Sequence, residues 1–216
     1  MRNKIQKLKD FVTFPFRAVI LFEKDSFGLS SLQTERYDYV SKEVTGKCLD
    51  VGCGRNNIFI NKFVGGGGIG IDVFQYEGLR KENIVKDTTN LPFDNHSFDT
   101  VTLIANINHI PKKIRLKELK ELNRVLKKGG KIVVTMGNPL AEILVHKLVW
   151  FYDKFFGTNF DMDTERGMED GEEFFLTDKQ IKELLTNTSF VNIRKKYFFT
   201  QWGLNHLFIA HKQTEN

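Results

Sequence analysis

The chain has 216 residues, of which 41% are hydrophobic and 27% are charged, a balance typical of one globular α/β domain with a small appendage rather than of a disordered chain. Its two cysteines, Cys48 and Cys53, are too few for a disulfide framework or a four-ligand zinc site, and they favour a cytoplasmic location. The formal net charge is +5, and the absence of any run of about 18 apolar residues argues against a transmembrane helix.

Residues 1–45 are predicted to form an N-terminal helical leader. Its apolar residues recur at roughly helical spacing and alternate with basic ones, namely Ile5, Leu8, Phe11 and Val12 among Arg2, Lys4, Lys7, Lys9 and Arg17. Such a basic amphipathic segment can lie on the inner surface of a membrane or close over a site. A helix packed on the domain with solvated lysines is the simpler interpretation, and the sequence leaves both open.

Residues 46–216 are predicted to form the main domain, in which strands and helices alternate. Strands are predicted over 48–51, 69–73, 83–86, 98–104, 131–136, 191–199 and 204–211. Helices are predicted over 30–44, 56–64 and 112–126, and from an N-cap at Thr177 to Leu185. Strands joined by helices of this length form parallel, right-handed βαβ units, whereas the short link between the last two strands predicts an antiparallel hairpin.

A glycine loop follows the first predicted strand, in the segment 50–57 with the sequence DVGCGRNN. Gly52 and Gly54 let the backbone turn sharply and let a ligand approach with no Cβ in the way. Asp72 ends the second predicted strand, 18 residues after Gly54, where a carboxylate can bind both hydroxyls of a ribose. A strand-end capping acid is the alternative for Asp72, but its position after a glycine loop favours a nucleotide-like ligand.

Three further segments follow in order. Asp87 comes after the third predicted strand, where a carboxylate can accept a hydrogen bond from an adenine amine. The segment 97–110 contains the fourth strand and ends in Asn-His-Ile, and the segment 121–134 joins a helix to the fifth strand through two glycines. With these motifs the chain resembles the class I S-adenosylmethionine-dependent methyltransferases, especially the bacterial group with small-molecule substrates. The resemblance is close over about residues 47–136 and looser over about 174–211.

The resemblance implies an enzyme that uses S-adenosylmethionine. It also implies an α/β fold with a Rossmann-like, mostly parallel sheet of seven strands, helices on both faces and an antiparallel last strand. Carried over by position, the cofactor-binding residues are Asp50, Gly52, Cys53, Gly54, Asp72, Val73, Asp87, Thr88, Ile104 and Ala105. In this assignment the ribose lies at Asp72 and the adenine at Asp87, while the methionine end lies between the glycine loop and the end of strand four.

Many members of this family have a third glycine in the loop, at the position where this chain has Asn56. This departure also argues against a nicotinamide cofactor, whose pyrophosphate needs a third glycine for close helix packing. S-Adenosylmethionine has no pyrophosphate and tolerates the change. Cys53, inside the loop, could be a nucleophile, but a small filler is the simpler interpretation.

His109 is the candidate general base, because it lies just beyond the fourth predicted strand and histidine titrates near neutrality. The alternative is a structural histidine that orients the loop through a backbone hydrogen bond. Methyl transfer from a sulfonium can also proceed with no dedicated base, because orientation and exclusion of water supply much of the catalysis. The sequence leaves these alternatives open.

Residues 138–175 are predicted to form a helical and acidic lid over the substrate mouth. Its aromatic residues form either an apolar wall or an ordinary helix core: Trp150, Phe151, Tyr152, Phe155, Phe156 and Phe160. Its acidic residues Asp161, Asp163 and Glu165 are interpreted as a solvated loop, and no metal site is predicted. An acidic lid disfavours a nucleic-acid substrate. The helix 112–128 is interpreted as a solvated outer face, because Glu118 and Glu121 alternate with its lysines.

The predicted function is therefore transfer of a methyl group to a small molecule, which could be linked to a lipid or a glycan. One alternative is a cofactor-binding module without catalysis, docked to a membrane or a partner protein by its basic leader. A weaker alternative is methylation of RNA, which the net positive charge favours. The acceptor and the oligomeric state cannot be read from the sequence.

Overall fold

The computed structural model of the protein describes residues 2–21, 23–138, 154 and 170–214. The aromatic residues predicted to line a lid, and the acids Asp161, Asp163 and Glu165, lie outside the described residues. The predicted boundary between leader and main domain at residue 45 stays a prediction, as does the lid.

One mixed sheet of six strands forms the centre of the described structure, in the order β2-β1-β3-β4-β6-β5. The strands are β1 (Cys48–Val51), β2 (Gly68–Ile71), β3 (Phe98–Ile104), β4 (Leu126–Gly137), β5 (Phe190–Tyr197) and β6 (Asn205–Lys212). β1 to β4 pair in parallel, whereas β6 is antiparallel to both β4 and β5. The predicted closing hairpin and the antiparallel last strand are therefore confirmed.

Five α-helices are described: α1 (Lys4–Val12), α2 (Phe14–Ile20), α3 (Leu32–Ser41), α4 (Lys112–Val125) and α5 (Asp178–Asn187). Ser31 caps α3, and Thr177 forms a capping box with Gln180 at the start of α5, as an N-cap threonine does. Alternate side chains of a strand point to opposite faces of the sheet, so both faces can be covered by helices. On β4, Ile132 and Val134 enter one hydrophobic core and Val133 enters the other. The Rossmann-like fold is thus confirmed.

The strand predicted over 83–86 was wrong within the described residues, which give six strands rather than seven. Only a single parallel bridge joins Asp72 to Ile84, and the preceding residues Lys81–Asn83 form a 3₁₀ turn. The Asn83 amide donates to the carbonyl of Gly70 at 2.7 Å, so a side chain takes up an edge acceptor of β2. The segment nevertheless lies beside β2, at the edge of the sheet.

The helix predicted over 56–64 was also wrong. The structure has a 3₁₀ turn at Arg55–Asn57 followed by one π-helical turn at Phe59–Phe63. Asn56 and Asn57 have φ values of 59° and 47°, which an α-helix cannot include. The apolar residues of this segment nevertheless face the core, where Phe59 is fully buried.

The leader helices α1 and α2 fold against the main domain through apolar and charged contacts. The ring of Phe11 stacks on that of Phe199 with 4.7 Å between the ring centroids. Arg17 pairs with Glu35 of α3 at 3.0 Å and donates to the carbonyl of Thr200 at 3.2 Å. The leader is therefore packed on the domain, as the simpler interpretation had it. Within the ranges that the structure describes, no helix combines the length and the apolar content needed to cross a bilayer.

Candidate active site

The glycine loop after β1 has a backbone that only glycine adopts easily. Gly54 has φ 62° and ψ −168°, a region essentially restricted to glycine, and a Cβ added to it would meet no atom within 4 Å. Gly52 has φ 77°, and an added Cβ would lie 2.3 Å from Cγ of Asn106. The Asn106 amide in turn donates to the carbonyl of Val51 at 3.0 Å. Asn106 therefore packs against the loop at Gly52, whereas the space beside Gly54 is free.

Asp72, just beyond the end of β2, is held by two backbone donors. Oδ2 accepts from the N–H of Gly54 and Oδ1 from the N–H of Phe74, both at 3.0 Å. Each carboxylate oxygen keeps a lone pair for a second donor, such as a ribose hydroxyl. Asp72 therefore both fixes the glycine loop and offers carboxylate oxygens as acceptors next to it.

A cavity of about 710 Å³ opens at the carboxyl ends of β1 and β3, where ligands bind in sheets of this kind. Most of the predicted site residues line it together: Gly52, Gly54, Asp72, Val73, Asp87, Thr88, Ala105 and His109. They come from four separate loops of the chain. The structure therefore brings into one cavity the residues that the sequence could place only on successive strand ends.

Three predicted residues lie behind this lining. Asp50, Cys53 and Ile104 are buried, and Thr102 donates to Asp50 at 2.6 Å. Burial, aided by the negative charge of Asp72, raises the pKa of Asp50 to about 7. Burial also raises the pKa of the Cys53 thiol, which argues against a nucleophilic thiolate. A direct contact of these three residues with the cofactor stays a prediction.

Asp87 and Thr88, in the segment before β3, line the same cavity as Gly52. Asp87 is exposed and accepts from the backbone N–H and the hydroxyl of Thr89 at 2.9 and 2.6 Å, which lowers the pKa of Asp87. It is therefore a carboxylate that stays ionised. Thr88 instead turns inward, where its hydroxyl donates to the carboxyl of Glu118.

The interpretation of Glu118 as part of a solvated face was wrong. The residue is 3% exposed, lines the cavity from α4, and its pKa is raised by burial to about 7, with the negative charge of Asp87 acting in the same direction. Helical spacing carried the missed signal, because Glu118 lies four residues after Ile114 and four before Leu122. Both flanking residues pack in the hydrophobic core.

We expect Glu118→Gln to remove part of the pH dependence of stability. Below pH 4.5 the carboxyl is protonated in folded and unfolded protein alike; as the pH rises towards 7, the unfolded chain ionises first, so stability falls. Above pH 7 the variant should be more stable than the wild type by about 1 kcal/mol, a partial release of this penalty. Denaturant unfolding at pH 5 and pH 8 measures the difference.

Glu121→Gln is the matched control one turn further along α4. Bonds from Arg124 and from the backbone N–H of Leu91 lower the pKa of Glu121, so its ionised form stabilises the fold and the substitution should destabilise it at pH 8. Equal effects of the two substitutions on stability at pH 8 would contradict the assignment of Glu118 as a buried acid with a raised pKa.

His109 makes a hydrogen bond from its ring to a buried acid. Its Nδ1 lies 3.1 Å from Oε2 of Glu172, whose side chain is fully buried, and its backbone N–H donates to the carbonyl of Asn106 at 2.9 Å. Such a carboxylate fixes the ring and its tautomer. The arrangement suits a base that is oriented by an acid and also suits a structural histidine, so the role of His109 stays a prediction.

Sequence reasoning missed the wall that α3 contributes to the cavity. Tyr37 lines the cavity, its ring 5.5 Å from that of Phe59 and 5.2 Å from that of Phe63. Burial, with the negative charge of Asp50, raises the pKa of Tyr37. No motif around residue 37 marks this role, because the contact depends on how α3 packs against the segment after the glycine loop.

These residues fit an adenosyl ligand with a positively charged sulfonium. The bare backbone at Gly54 leaves room beside the loop, and Asp72 offers acceptors to a ribose at that point. Asp87 offers an ionised acceptor to an amine. In all, five acids and three bases line the cavity, the bases being Lys24, Arg55 and Lys86, and this excess of acids favours a cationic ligand. Among the described residues, no group of three histidines, cysteines or acids is arranged to hold a metal ion.

Comparisons with known proteins agree with this geometry. A family model described as a methyltransferase domain matches residues 49–134. Demethylmenaquinone methyltransferase from Staphylococcus aureus (strain MRSA252) is 29% identical over 190 residues, which cover 79% of this chain and 77% of that protein.

Solved structures show the same fold. A SAM-dependent methyltransferase from Methanosarcina mazei has a TM-score of 0.55 and 23% identity, over 82% of this chain and 98% of that one. A 1,6-didemethyltoxoflavin-N1-methyltransferase from Burkholderia thailandensis, with S-adenosylhomocysteine bound, has a TM-score of 0.53 and 15% identity, over 85% of this chain and 78% of that one. The glycine loop, the strand-end acids, the matched methyltransferase domain and the shared fold together support a class I S-adenosylmethionine-dependent methyltransferase, an enzyme with S-adenosylmethionine as its cofactor.

Proposed function

We propose that this enzyme methylates a small-molecule acceptor of the quinone class, in its reduced, hydroxylated form. The observation that carries the proposal is the cavity of about 710 Å³, which the cofactor-binding loops share with Tyr37, Ile110 and Ile114. Aromatic and aliphatic side chains suit the flat, apolar ring of a quinone. The name of the relative at 29% identity, a demethylmenaquinone methyltransferase, supports the same class of acceptor.

The proposal also assigns the cofactor side of the cavity. Asp72 accepts from the ribose hydroxyls, while Asp87 accepts from the adenine amine at the other end. Gly52 and Ala105 lie at the ends of adjacent strands and border the methionine part. When bound, S-adenosylmethionine supplies an electrophilic methyl group, so the protein needs mainly to orient the acceptor and exclude water.

His109 is the group in this proposal that takes the proton which the acceptor loses. Its Nδ1 is engaged with Glu172, so the proton goes to Nε2, and the buried Glu172 carboxylate stabilises the resulting charge. A His109→Gln variant should therefore lower the rate at saturating acceptor while it leaves the affinity for S-adenosylhomocysteine unchanged, as turnover assays and calorimetry measure.

The direct test is turnover with the purified protein. Demethylated naphthoquinol in detergent, supplied with S-adenosylmethionine under reducing conditions, should gain the mass of one methyl group in place of a hydrogen. Matched reactions contain the fully methylated quinol, which offers no free ring position, or unmodified RNA. Binding of S-adenosylhomocysteine, measured by calorimetry, shows in parallel that the cofactor site is intact.

The outcomes test the choice of acceptor separately from the assignment as a methyltransferase. Methylation of the demethylated quinol alone supports the proposal. Cofactor binding with no transfer to the quinol would overturn the acceptor, and transfer to RNA would establish the nucleic-acid alternative. Absence of S-adenosylhomocysteine binding would contradict the assignment of the cavity itself.

A further inference from the structure

The two leader helices expose a continuous apolar stripe to solvent. Its members are Ile5, Leu8 and Val12 of α1 and Phe16 and Ile20 of α2, which are 68%, 66%, 66%, 45% and 43% exposed. Spacings of three and four residues put the first three on one face of α1, and a spacing of four puts the last two on one face of α2. The ring of Phe27, 77% exposed, lies 6.3 Å from that of Phe16 and extends the surface. We call these first five residues the leader stripe.

The opposite face of the same helices is buried and carries charged side chains among apolar ones. Phe14 and Ala18 are buried there together with Asp10 and Arg17, and Arg2 reaches in to Asp10. A helix on the surface of a globular domain normally exposes a polar face and buries an apolar one, so the apolar stripe outside and the charges inside are both unusual. Because the ionic contacts fix the rotation of α1 and α2, the leader stripe cannot turn inward without breaking them.

Positive charge borders the leader stripe. At about 100° per residue, Lys4 and Lys9 lie on the two sides of the stripe on α1, and both are exposed. The only acidic residue between positions 2 and 21 is Asp10, which is buried. Two helices with an exposed apolar face, lysines along its edges on α1 and no exposed acid of their own are complementary to a layer of anionic lipid headgroups over acyl chains.

We propose that the leader stripe docks the enzyme on the surface of a bilayer that contains anionic lipid. The five side chains enter the boundary between headgroups and acyl chains, while Lys4 and Lys9 contact the headgroups. Glu23 and Lys24, which follow α2 directly, line the cavity. Docking therefore brings the cavity next to the lipid surface, whichever acceptor the enzyme uses.

A second copy of the chain fits the stripe less well. A symmetric dimer places the same patch of both subunits together, so the lysines of one copy would meet those of the other. Like charges at such an interface oppose association. The dimer is nevertheless an outcome that the test must distinguish.

Vesicle flotation of the full-length protein tests the proposal. The wild type should float with vesicles of phosphatidylcholine and phosphatidylglycerol, and less with phosphatidylcholine alone. Ile5→Ser/Val12→Ser should lower the apparent affinity for the anionic vesicles by roughly tenfold or more, because two buried apolar side chains are lost. Lys4→Glu/Lys9→Glu should also lower it, with a weaker dependence on salt.

Leu116→Ser is the matched control, because Leu116 of α4 is 44% exposed and lies outside the leader. It should float like the wild type. An unchanged thermal midpoint and unchanged S-adenosylhomocysteine affinity show that each variant is folded. The proposal is overturned if the wild type does not float with anionic vesicles, or if the serine double variant floats equally well. A wild-type dimer that this variant dissociates, without flotation, would assign the stripe to a second copy.

Discussion

Asp72→Ala is expected to weaken binding of S-adenosylhomocysteine by roughly 1.5–3 kcal/mol, the usual contribution of a hydrogen bond to a charged group, which is roughly 10- to 150-fold in Kd. Two losses add in this variant. The ribose loses its acceptor, and the N–H of Gly54 loses the bond at 3.0 Å that fixes the glycine loop. Isothermal titration calorimetry of wild type and variant measures the change.

Asp72→Asn separates the two losses. Its single carbonyl oxygen can still accept from one of the two backbone donors, so part of the loop geometry survives while the negative charge is gone. We expect its affinity to lie between those of the wild type and Asp72→Ala. Glu82→Ala, which removes an exposed acid that pairs with Arg80, is the control for charge and should leave the affinity unchanged. Wild-type affinity in Asp72→Ala would show that the ribose binds elsewhere.

The part of the site that could be predicted from the sequence depends on local backbone chemistry. Gly52 and Gly54 stand where positive φ is needed, and Asp72 follows a strand that pairs with the one before the loop. In a parallel sheet such strand ends meet at one edge, so their order along the chain was enough to bring them together. Their roles in binding the cofactor stay predictions that Asp72→Ala begins to test.

The rest depends on contacts between distant segments, which a single sequence does not display. Glu172 reaches His109 across 63 positions, and Tyr37 reaches the cavity only because α3 packs on Phe59. The predicted helix over 56–64 failed for a local reason, since Asn56 and Asn57 adopt left-handed φ values that asparagine tolerates better than most residues. The apolar periodicity of that segment was correct but did not determine its helical type.

Arg17→Ala is expected to lower the free energy of unfolding by about 3–5 kcal/mol, because it removes one partner of a buried ionic cluster and leaves the other charges uncompensated. Arg17 is fully buried and pairs with Glu35 at 3.0 Å. It also donates to the backbone carbonyls of Asp10, Ser30 and Thr200 at 2.6, 2.7 and 3.2 Å. One side chain thus joins the leader, the loop before α3 and the turn after β5.

Asp10, next to Arg17, cannot reduce this cost by taking up a proton at neutral pH. Burial would raise the pKa of Asp10, but hydrogen bonds from Arg2, Ser30 and Gln6 hold it below the ordinary value, so Asp10 stays ionised. Denaturant unfolding at pH 7 measures the loss, and Arg80→Ala, at an exposed pair with Glu82, should cost less than about 1 kcal/mol. If Arg17→Ala cost no more than this control, the ionic cluster would not be what holds α1 and α2 against α3. The leader stripe would then no longer have a fixed outward face.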